Sequence, residues 1–209
     1  MYKFLLLLVV LFLSGCQKNI EVTNYTNDFQ DNSIIFYNTN NISSVIIYSN
    51  SKYILYILDG DEINIDNFYK LLPKIDYIIS KNNINIDKSV INTYKIYQSI
   101  KLNNVSITMH DKIEININDT NICIYDKNVS ETGDYRLCTY IYILNNEKNI
   151  YINLNDDMNV LFYNEYSKFS NRFLERLYTT WVDTYIVPKN ILVVLELLPN
   201  NYNIREIKS

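Results

Sequence analysis

The chain has 209 residues, which favours a single domain that can bury a sizeable core without depending on disulfides or metals. The formal net charge is −4, and no basic stripe interrupts the spread of charges, so nucleic-acid binding has no electrostatic basis. Hydrophobic residues make up 48% of the chain, and there are 20 Tyr. Aromatic and β-branched side chains fit a pleated surface, so this composition favours strands.

The first residues have the pattern of a signal peptide. An apolar run over 4–13 is too short to cross a bilayer as a helix but has the length of a signal h-region. It leads into Leu13-Ser14-Gly15-Cys16. This ending resembles the lipobox of bacterial lipoproteins, in which small residues precede the cysteine that is lipidated. The resemblance implies cleavage after Gly15, a lipid on Cys16, and attachment to a membrane through that lipid.

The segment after Cys16 predicts the domain organisation. Residues 17–32 are polar without a clear period, which is typical of a flexible tether. We therefore predict a signal peptide over 1–15, a lipidated N-terminus and tether over 16–32, and one globular domain over 33–209. Gln17 stands where the Asp that retains lipoproteins in an inner membrane would be. An outer membrane is therefore favoured if the cell has two.

From residue 33 onward, short apolar runs separated by polar gaps predict a β-rich domain. Strands are predicted over 33–37, 45–48, 52–58, 75–79, 105–109, 112–117, 121–125 and 182–187. Asn50-Ser51 predicts a tight hairpin, and a second hairpin is predicted between 136–144 and 149–154. Helices are predicted over 65–72, 87–94 and 160–178, the last being the longest. The type of the apolar run 191–198 is left open.

This order of elements resembles a degenerate metallo-β-lactamase-like domain. YILYILDG at 53–60 stands where that family has a strand ending in an Asp-Gly turn, and 75–89 stands where it has a strand running into Thr-His-x-His-x-Asp-His. The segments 150–157 and 182–190 correspond in position to two later strands of the family. The resemblance implies an α/β (α+β) fold, with a β-rich two-sheet αββα sandwich flanked by helices. The alternative is a generic α+β lipoprotein domain.

The chain departs from this family at the metal site. A binuclear site needs several imidazoles and carboxylates close together, and this chain has one His, His110. Only Asp59 and the Asp156-Asp157 pair remain as matching acidic residues. Other residue types fill the family's ligand positions: Lys81, Asn83, Asn85, Ile86, Lys189 and Asn190. We therefore expect no catalytic residues, metal site or cofactor, and no metallohydrolase activity.

Other candidate features have ordinary structural interpretations. Cys123 and Cys138 fall in predicted strands, and either a disulfide or two buried free thiols fits the sequence. Acidic residues in the predicted turns near 59–62 and 156–157 could hold Ca²⁺, but solvated turns carry them commonly. Trp181 is consistent with core packing.

Three functional hypotheses follow, and none of them names a ligand. The first is a lipid-anchored envelope protein with a non-catalytic binding or structural role, a pseudo-enzyme if the fold resemblance holds. The second is an envelope hydrolase whose site the sequence does not reveal. The third is a surface antigen or adhesin. A partner beyond the membrane, whether protein or small molecule, is not indicated.

Overall fold

The computed structural model describes residues 21–24, 29–39, 42–59, 65–80, 93–95, 99–109, 113–125, 132–135, 137–144, 151–153, 160–167, 169–179 and 182–208. Its strands are β1 (Glu21–Asn24), β2 (Ser33–Asn38), β3 (Ser43–Ser49), β4 (Lys52–Asp59), β5 (Tyr77–Ser80), β6 (Thr93–Lys95), β7 (Ile100–Leu102), β8 (Val105–Met109), β9 (Ile113–Ile117), β10 (Thr120–Tyr125), β11 (Thr132–Asp134), β12 (Tyr140–Ile143), β13 (Tyr151–Asn153), β14 (Val160–Asn164), β15 (Asp183–Val187), β16 (Ile191–Leu198) and β17 (Asn201–Lys208). Its helices are α1 (Asp66–Tyr69) and α2 (Asn171–Thr179). None of the helices in this part of the chain is long and apolar enough to cross a membrane.

The strands form two large mixed sheets and one small pair. Sheet A has the order β1-β17-β16-β2-β3-β4-β5-β6, and sheet B has the order β15-β14-β12-β10-β9-β8-β7. The small pair consists of β11 and β13, which run parallel. Antiparallel hairpins make up the middle of sheet A and one half of sheet B, whereas β10, β12, β14 and β15 are parallel.

The inner faces of the two sheets pack against each other and form the main core. Phe36 of sheet A lies against Phe162 and Tyr142 of sheet B, with ring centroids 4.5 and 4.8 Å apart. The alternation along β9 places Ile113, Ile115 and Ile117 in this core. Apolar side chains that meet between two sheets are removed from water together, which is the main source of stability in a sandwich.

Each sheet also buries its outer face. Apolar residues in and around α1, including Phe68, pack on sheet A, and Phe173 and Leu177 of α2 pack on sheet B. The layers therefore run helix, sheet, sheet, helix. This arrangement confirms the prediction of a β-rich, two-sheet α+β sandwich flanked by helices.

Most of the predicted strands are confirmed within a residue or two, and so is the hairpin at Asn50-Ser51. Both turn residues have positive φ, 51° and 58°, and they directly connect β3 to β4. Two successive residues of this kind are the hallmark of a type I′ turn, whose twist matches that of paired strands. The apolar run 191–198 forms β16, which pairs with β17.

The predicted long helix over 160–178 is wrong in its first part. Residues Val160–Asn164 form β14, and the helix begins only at Asn171. Leu161 is buried on the outer face of sheet B and Phe162 on the inner face. A strand that is covered on both faces has a continuous apolar run, and such a run lacks the alternation that distinguishes strands from helices.

The predicted hairpin between 136–144 and 149–154 is also wrong. Within this region β12 lies in the middle of sheet B between β10 and β14, while β13 pairs with β11. All four residues of β12 are buried, so the strand needs a neighbour on each side. The parallel partners come from distant parts of the chain, which local turn signals do not reveal.

Three shorter segments also differ from expectation. The helix predicted over 65–72 is reduced to α1, and the end of the one predicted over 87–94 belongs to β6, with 87–92 outside the described residues. Within the segment interpreted as a tether, Glu21–Asn24 forms β1 beside β17 and Phe29 is buried. Backbone pairing with a strand 180 residues away gives no local sequence signal. The boundaries at 15, 32 and 33 stay predictions.

Candidate functional site

The carboxyl ends of many strands meet at one end of the sandwich, which we call the carboxyl edge. In sheet A, Asn38 at the end of β2 lies opposite Ser43, which lies opposite Asp59 at the end of β4. Strand β5 is parallel to β4 and ends there too. In sheet B, the parallel strands β10, β12, β14 and β15 end on the same side. Ligands of sheets with parallel strands bind at such ends, so this edge is the candidate site.

A buried polar network joins the two sheets beneath the carboxyl edge. Asn38 of sheet A donates from Nδ2 to Oδ1 of Asn164 in sheet B. The Tyr142 hydroxyl oxygen lies 2.8 Å from Asn38 Oδ1 and 2.7 Å from Asn164 Oδ1. Asn164 in turn donates to the carbonyl oxygen of Leu144, 3.3 Å away. The network ties sheet A to the segment that follows β12.

The chemistry of this network is that of neutral hydrogen-bonding groups. One hydroxyl proton serves two acceptor oxygens, so Tyr142 donates to either Asn38 or Asn164 at any moment. Burial raises the pKa of the Tyr142 phenol, which therefore stays protonated at physiological pH. Amide and phenol oxygens are not the His, Cys or carboxylate ligands that Zn²⁺ prefers. The three residues hydrogen-bond to one another between the sheets and do not fit a zinc centre.

Strands β2 and β14 contribute matching residues to this region. Both end in the tripeptide Phe-Tyr-Asn, at 36–38 and 162–164. The two Phe rings stack in the core, the two Tyr residues lie on opposite outer faces, and the two Asn side chains meet. Asn38, Tyr142 and Asn164 were not among the residues predicted from the sequence. The repeated tripeptide is the signal that could have identified two of them.

The segment after β15 closes one side of the carboxyl edge. The Asn190 amide donates to the Asn38 carbonyl oxygen, 2.8 Å away, and Lys189 forms a parallel bridge with Asn38. Lys189 is half-buried and Asn190 is exposed with φ 57°. These two positions, which carry histidines in the resembled family, thus lie at the expected edge. Their backbone contributes the connection between the sheets.

The other sequence-selected residues are only partly covered by the structure. Asp59 ends β4 at the carboxyl edge. The other residues selected from the sequence lie outside the described residues: Leu13, Ser14, Gly15, Cys16, Asp61, Glu62, Lys81, Asn83, Asn85, Ile86, His110, Asp156, Asp157 and Trp181. In the part of the chain that is described, no group of three or more His, Cys, Asp or Glu is placed to hold a metal ion.

Cys123 and Cys138 form a disulfide on the outer face of sheet B. Their Cα atoms lie 5.8 Å apart, and both residues are buried. Cys123 lies in β10 and Cys138 lies just before β12, so the bond links the turn that enters β12 to its neighbouring strand. Phe173 and Leu177 of α2 belong to the same apolar cluster.

The opposite end of the sandwich, the hairpin end, is held by a network of Asn and Ser side chains. Asn104, in the β7–β8 turn, donates to Asn32 at 3.2 Å and to Asn118 in the β9–β10 turn at 3.1 Å. Ser49 of sheet A lies 2.7 Å from Asn32 Oδ1 and 3.0 Å from Asn104 Oδ1. This network connects the turns of both sheets, so polar contacts hold the sandwich at both ends.

A stability measurement tests the role of the Tyr142 hydroxyl. Tyr142→Phe should lower the free energy of unfolding by about 1–3 kcal/mol, because the buried Oδ1 of Asn38 loses its donor, whereas Asn164 Oδ1 still accepts from Asn38 Nδ2. Urea denaturation measures the difference. The matched control is Tyr178→Phe, which removes the same atom from a side chain that is 82% exposed and should cost less than about 0.5 kcal/mol. Equal stability of both variants would contradict the structural role of the network.

Comparison with known proteins finds partial structural similarity and no match in sequence. No protein-family model and no curated protein matches the sequence. Among solved structures, the metallo-β-lactamase fold protein YhfI from Bacillus subtilis is 10% identical, with a TM-score of 0.45 over 75% of this chain and 97% of that chain. A protein of the metallo-β-lactamase superfamily from Thermotoga maritima is 10% identical, with a TM-score of 0.41 over 75% of this chain and 98% of that chain. At this level of similarity no activity carries over.

Proposed function

We propose that the chain is an extracytoplasmic protein held on a membrane by lipid on Cys16, with a binding or structural role rather than a metallohydrolase activity. The observation that carries the proposal is the sequence Leu13-Ser14-Gly15-Cys16 directly after a ten-residue apolar run. Two acyl chains on one cysteine are sufficient for stable anchoring.

The disulfide between Cys123 and Cys138 supports the extracytoplasmic location independently. Disulfides persist in oxidising compartments and are rare in the cytosol of most cells, where thiols are kept reduced. A chain that carries a signal peptide matures on the oxidising side of the membrane. The two features point to the same compartment although they lie far apart in the sequence.

The binding or structural role is supported by the residues at the carboxyl edge. A hydrolytic metal site of the resembled kind needs several histidines, and the whole chain has one. The buried groups beneath the edge are two carboxamides and a neutral phenol that hydrogen-bond to one another, which suits a structural role. None of the three is a nucleophile or a general base at neutral pH.

Fatty-acid labelling tests the anchor. Cells that express the full chain and are fed an alkyne-tagged palmitate should label the wild-type protein, whereas Cys16→Ala should lose the label completely, because the thiol that receives the lipid is gone. Ser14→Ala is the matched control: it keeps a small residue before the cysteine and should label like the wild type. Label retained in Cys16→Ala would contradict lipidation at this residue.

The non-catalytic role has a separate test. Purified protein should contain less than about 0.1 zinc or manganese ion per chain and should not turn over phosphodiester or ester substrates above the blank, because the chain lacks the imidazoles of a binuclear site. Stoichiometric metal together with turnover would contradict this part of the proposal and leave the anchor unaffected.

A further inference from the structure

The length of chain between Cys16 and the first strand limits which part of the domain can reach the bilayer. Strand β1 begins at Glu21, so only residues 17–20 lie between it and Cys16. A chain of this length spans at most about 18 Å when fully extended. Because Cys16 is held at the membrane surface under the proposed function, on which this inference rests, Glu21 must lie within about that distance of the bilayer.

This reach selects one edge of the molecule. Strands β1 and β6 are the opposite edges of the eight-stranded sheet A. With neighbouring strands about 4.8 Å apart, the two edges are separated by roughly 34 Å. If the β6 edge rested on the membrane, Glu21 would be about twice as far from the bilayer as the tether allows. The β1–β17 edge is therefore the one that lies near the membrane.

The direction of β1 selects one end of that edge. Strand β1 runs parallel to β17, with Glu21 level with Arg205 and Asn24 level with Lys208. The start of β1 therefore points toward Asn201, where the β16–β17 hairpin turns. Along β17, the level of Glu21 lies about 14 Å from Asn201 and about 10 Å from Lys208, so both ends are within about 18 Å. The direction in which the chain enters β1, and not the distance, therefore favours the hairpin.

The side chains of this hairpin suit a membrane interface. Residues 198–202 contain no charged side chain. Leu198 is 40% exposed. Tyr202, half-buried at the base of the turn, packs against Tyr140 and donates its hydroxyl to Asp183 Oδ2, 2.8 Å away. The other large apolar side chains exposed in the described part of the chain belong to sheet B, the segments next to its strands and helix α2: Leu137, Tyr166, Leu174, Tyr178 and Ile186. Tyrosine is enriched at the level of the headgroups because its ring is apolar and its hydroxyl is polar. Leucine is typical of the apolar side of segments that lie in the interface.

We propose that the β16–β17 hairpin, residues 198–202, is the part of the domain that rests on the lipid bilayer. The hairpin lies at the hairpin end of the sandwich, since Glu196 pairs with Ser33 at the start of β2. The carboxyl edge is therefore on the far side, about 23 Å away along the strands. The candidate site faces away from the membrane, so a ligand reaches it from the surrounding medium.

Lipid-quenching of single labels tests this orientation on the full lipidated chain in liposomes. Acylation occupies Cys16 and the disulfide occupies Cys123 and Cys138, so an introduced cysteine is the thiol available to a fluorophore. Leu198→Cys places the label on the hairpin. Lys70→Cys is the control: it is exposed next to α1, whose Phe68 ring lies 5.9 Å from Tyr37 near the carboxyl edge.

Lipids that carry a spin label near the headgroup should quench the Leu198 label at least threefold more than the Lys70 label. Insertion of 20 Gly/Ser residues after Gln17 should remove this contrast, because a flexible tether of that length lets the domain rotate freely. Equal quenching with the native tether, or stronger quenching of the Lys70 label, would overturn the orientation. A contrast that survives the insertion would support it and would show that the hairpin itself binds lipid. Mass spectrometry of the same sample distinguishes the two proposals: without acyl groups on Cys16 both fail, and with them only the orientation is at stake.

Discussion

Glu196→Leu should lower the free energy of unfolding by about 3–5 kcal/mol. Glu196 is 3% exposed and Arg205 is 9% exposed, and Arg205 Nε lies 2.9 Å from Glu196 Oε1. Asn203 Nδ2 donates to the other carboxylate oxygen at 3.0 Å. Loss of the carboxylate removes the counter-charge that Glu196 provides to the buried Arg205 guanidinium, and breaking a buried ion pair from one side is expensive.

The double variant Glu196→Leu with Arg205→Met separates this explanation from simple loss of packing. Replacement of a buried ion pair by apolar residues of similar volume is often neutral or stabilising, so the double variant should recover most of the stability that the single variant loses. Urea denaturation of the wild type, the single variant and the double variant measures both effects. A double variant as unstable as Glu196→Leu would show that the buried charge is not the cause.

Removal of the disulfide is expected to have the next largest effect. Cys123→Ala with Cys138→Ala should lower the free energy of unfolding by about 3 kcal/mol. The bond closes a loop with a sequence separation of 15, and the unfolded chain gains conformational entropy when that loop is opened. Loss of two buried sulfur atoms from the cluster on sheet B adds to the cost.

Equilibrium denaturation of the double alanine variant measures this effect. Leu137→Ala is the matched control, because Leu137 lies in the same loop but is 83% exposed, and its replacement should change stability by less than about 0.5 kcal/mol. Non-reducing mass spectrometry of the wild-type protein should find the peptides of Cys123 and Cys138 joined. A double variant as stable as the wild type would contradict a stabilising role of the bond.

The fold could be predicted from the sequence where strands alternate or end in recognisable turns. Ile113, Ile115 and Ile117 alternate with polar residues because β9 has one face in the core and one less buried face. Asn50-Ser51 adopts the left-handed conformation that a two-residue turn needs. Strand β14 could not be distinguished in the same way, because it is buried on both faces and its apolar run lacks the alternation that marks a strand.

The candidate site was much less predictable. The residues predicted as site candidates were charged or metal-binding types. The network beneath the carboxyl edge consists instead of Asn38, Tyr142 and Asn164. Neutral side chains of these types are abundant throughout the chain, so no single one stands out. They come together because β2, β12 and β14, which belong to three separate segments, end at the same side of the sandwich, and strand order depends on contacts distant in sequence.

The central claim is that this domain is displayed at a membrane by its N-terminal lipid, and mass spectrometry of the protein extracted from membranes tests it most directly. We expect the first peptide of the mature chain to begin at Cys16 and to carry the added mass of a diacylglyceryl group. A first peptide that begins at Met1, with an unmodified thiol on Cys16, would contradict the claim.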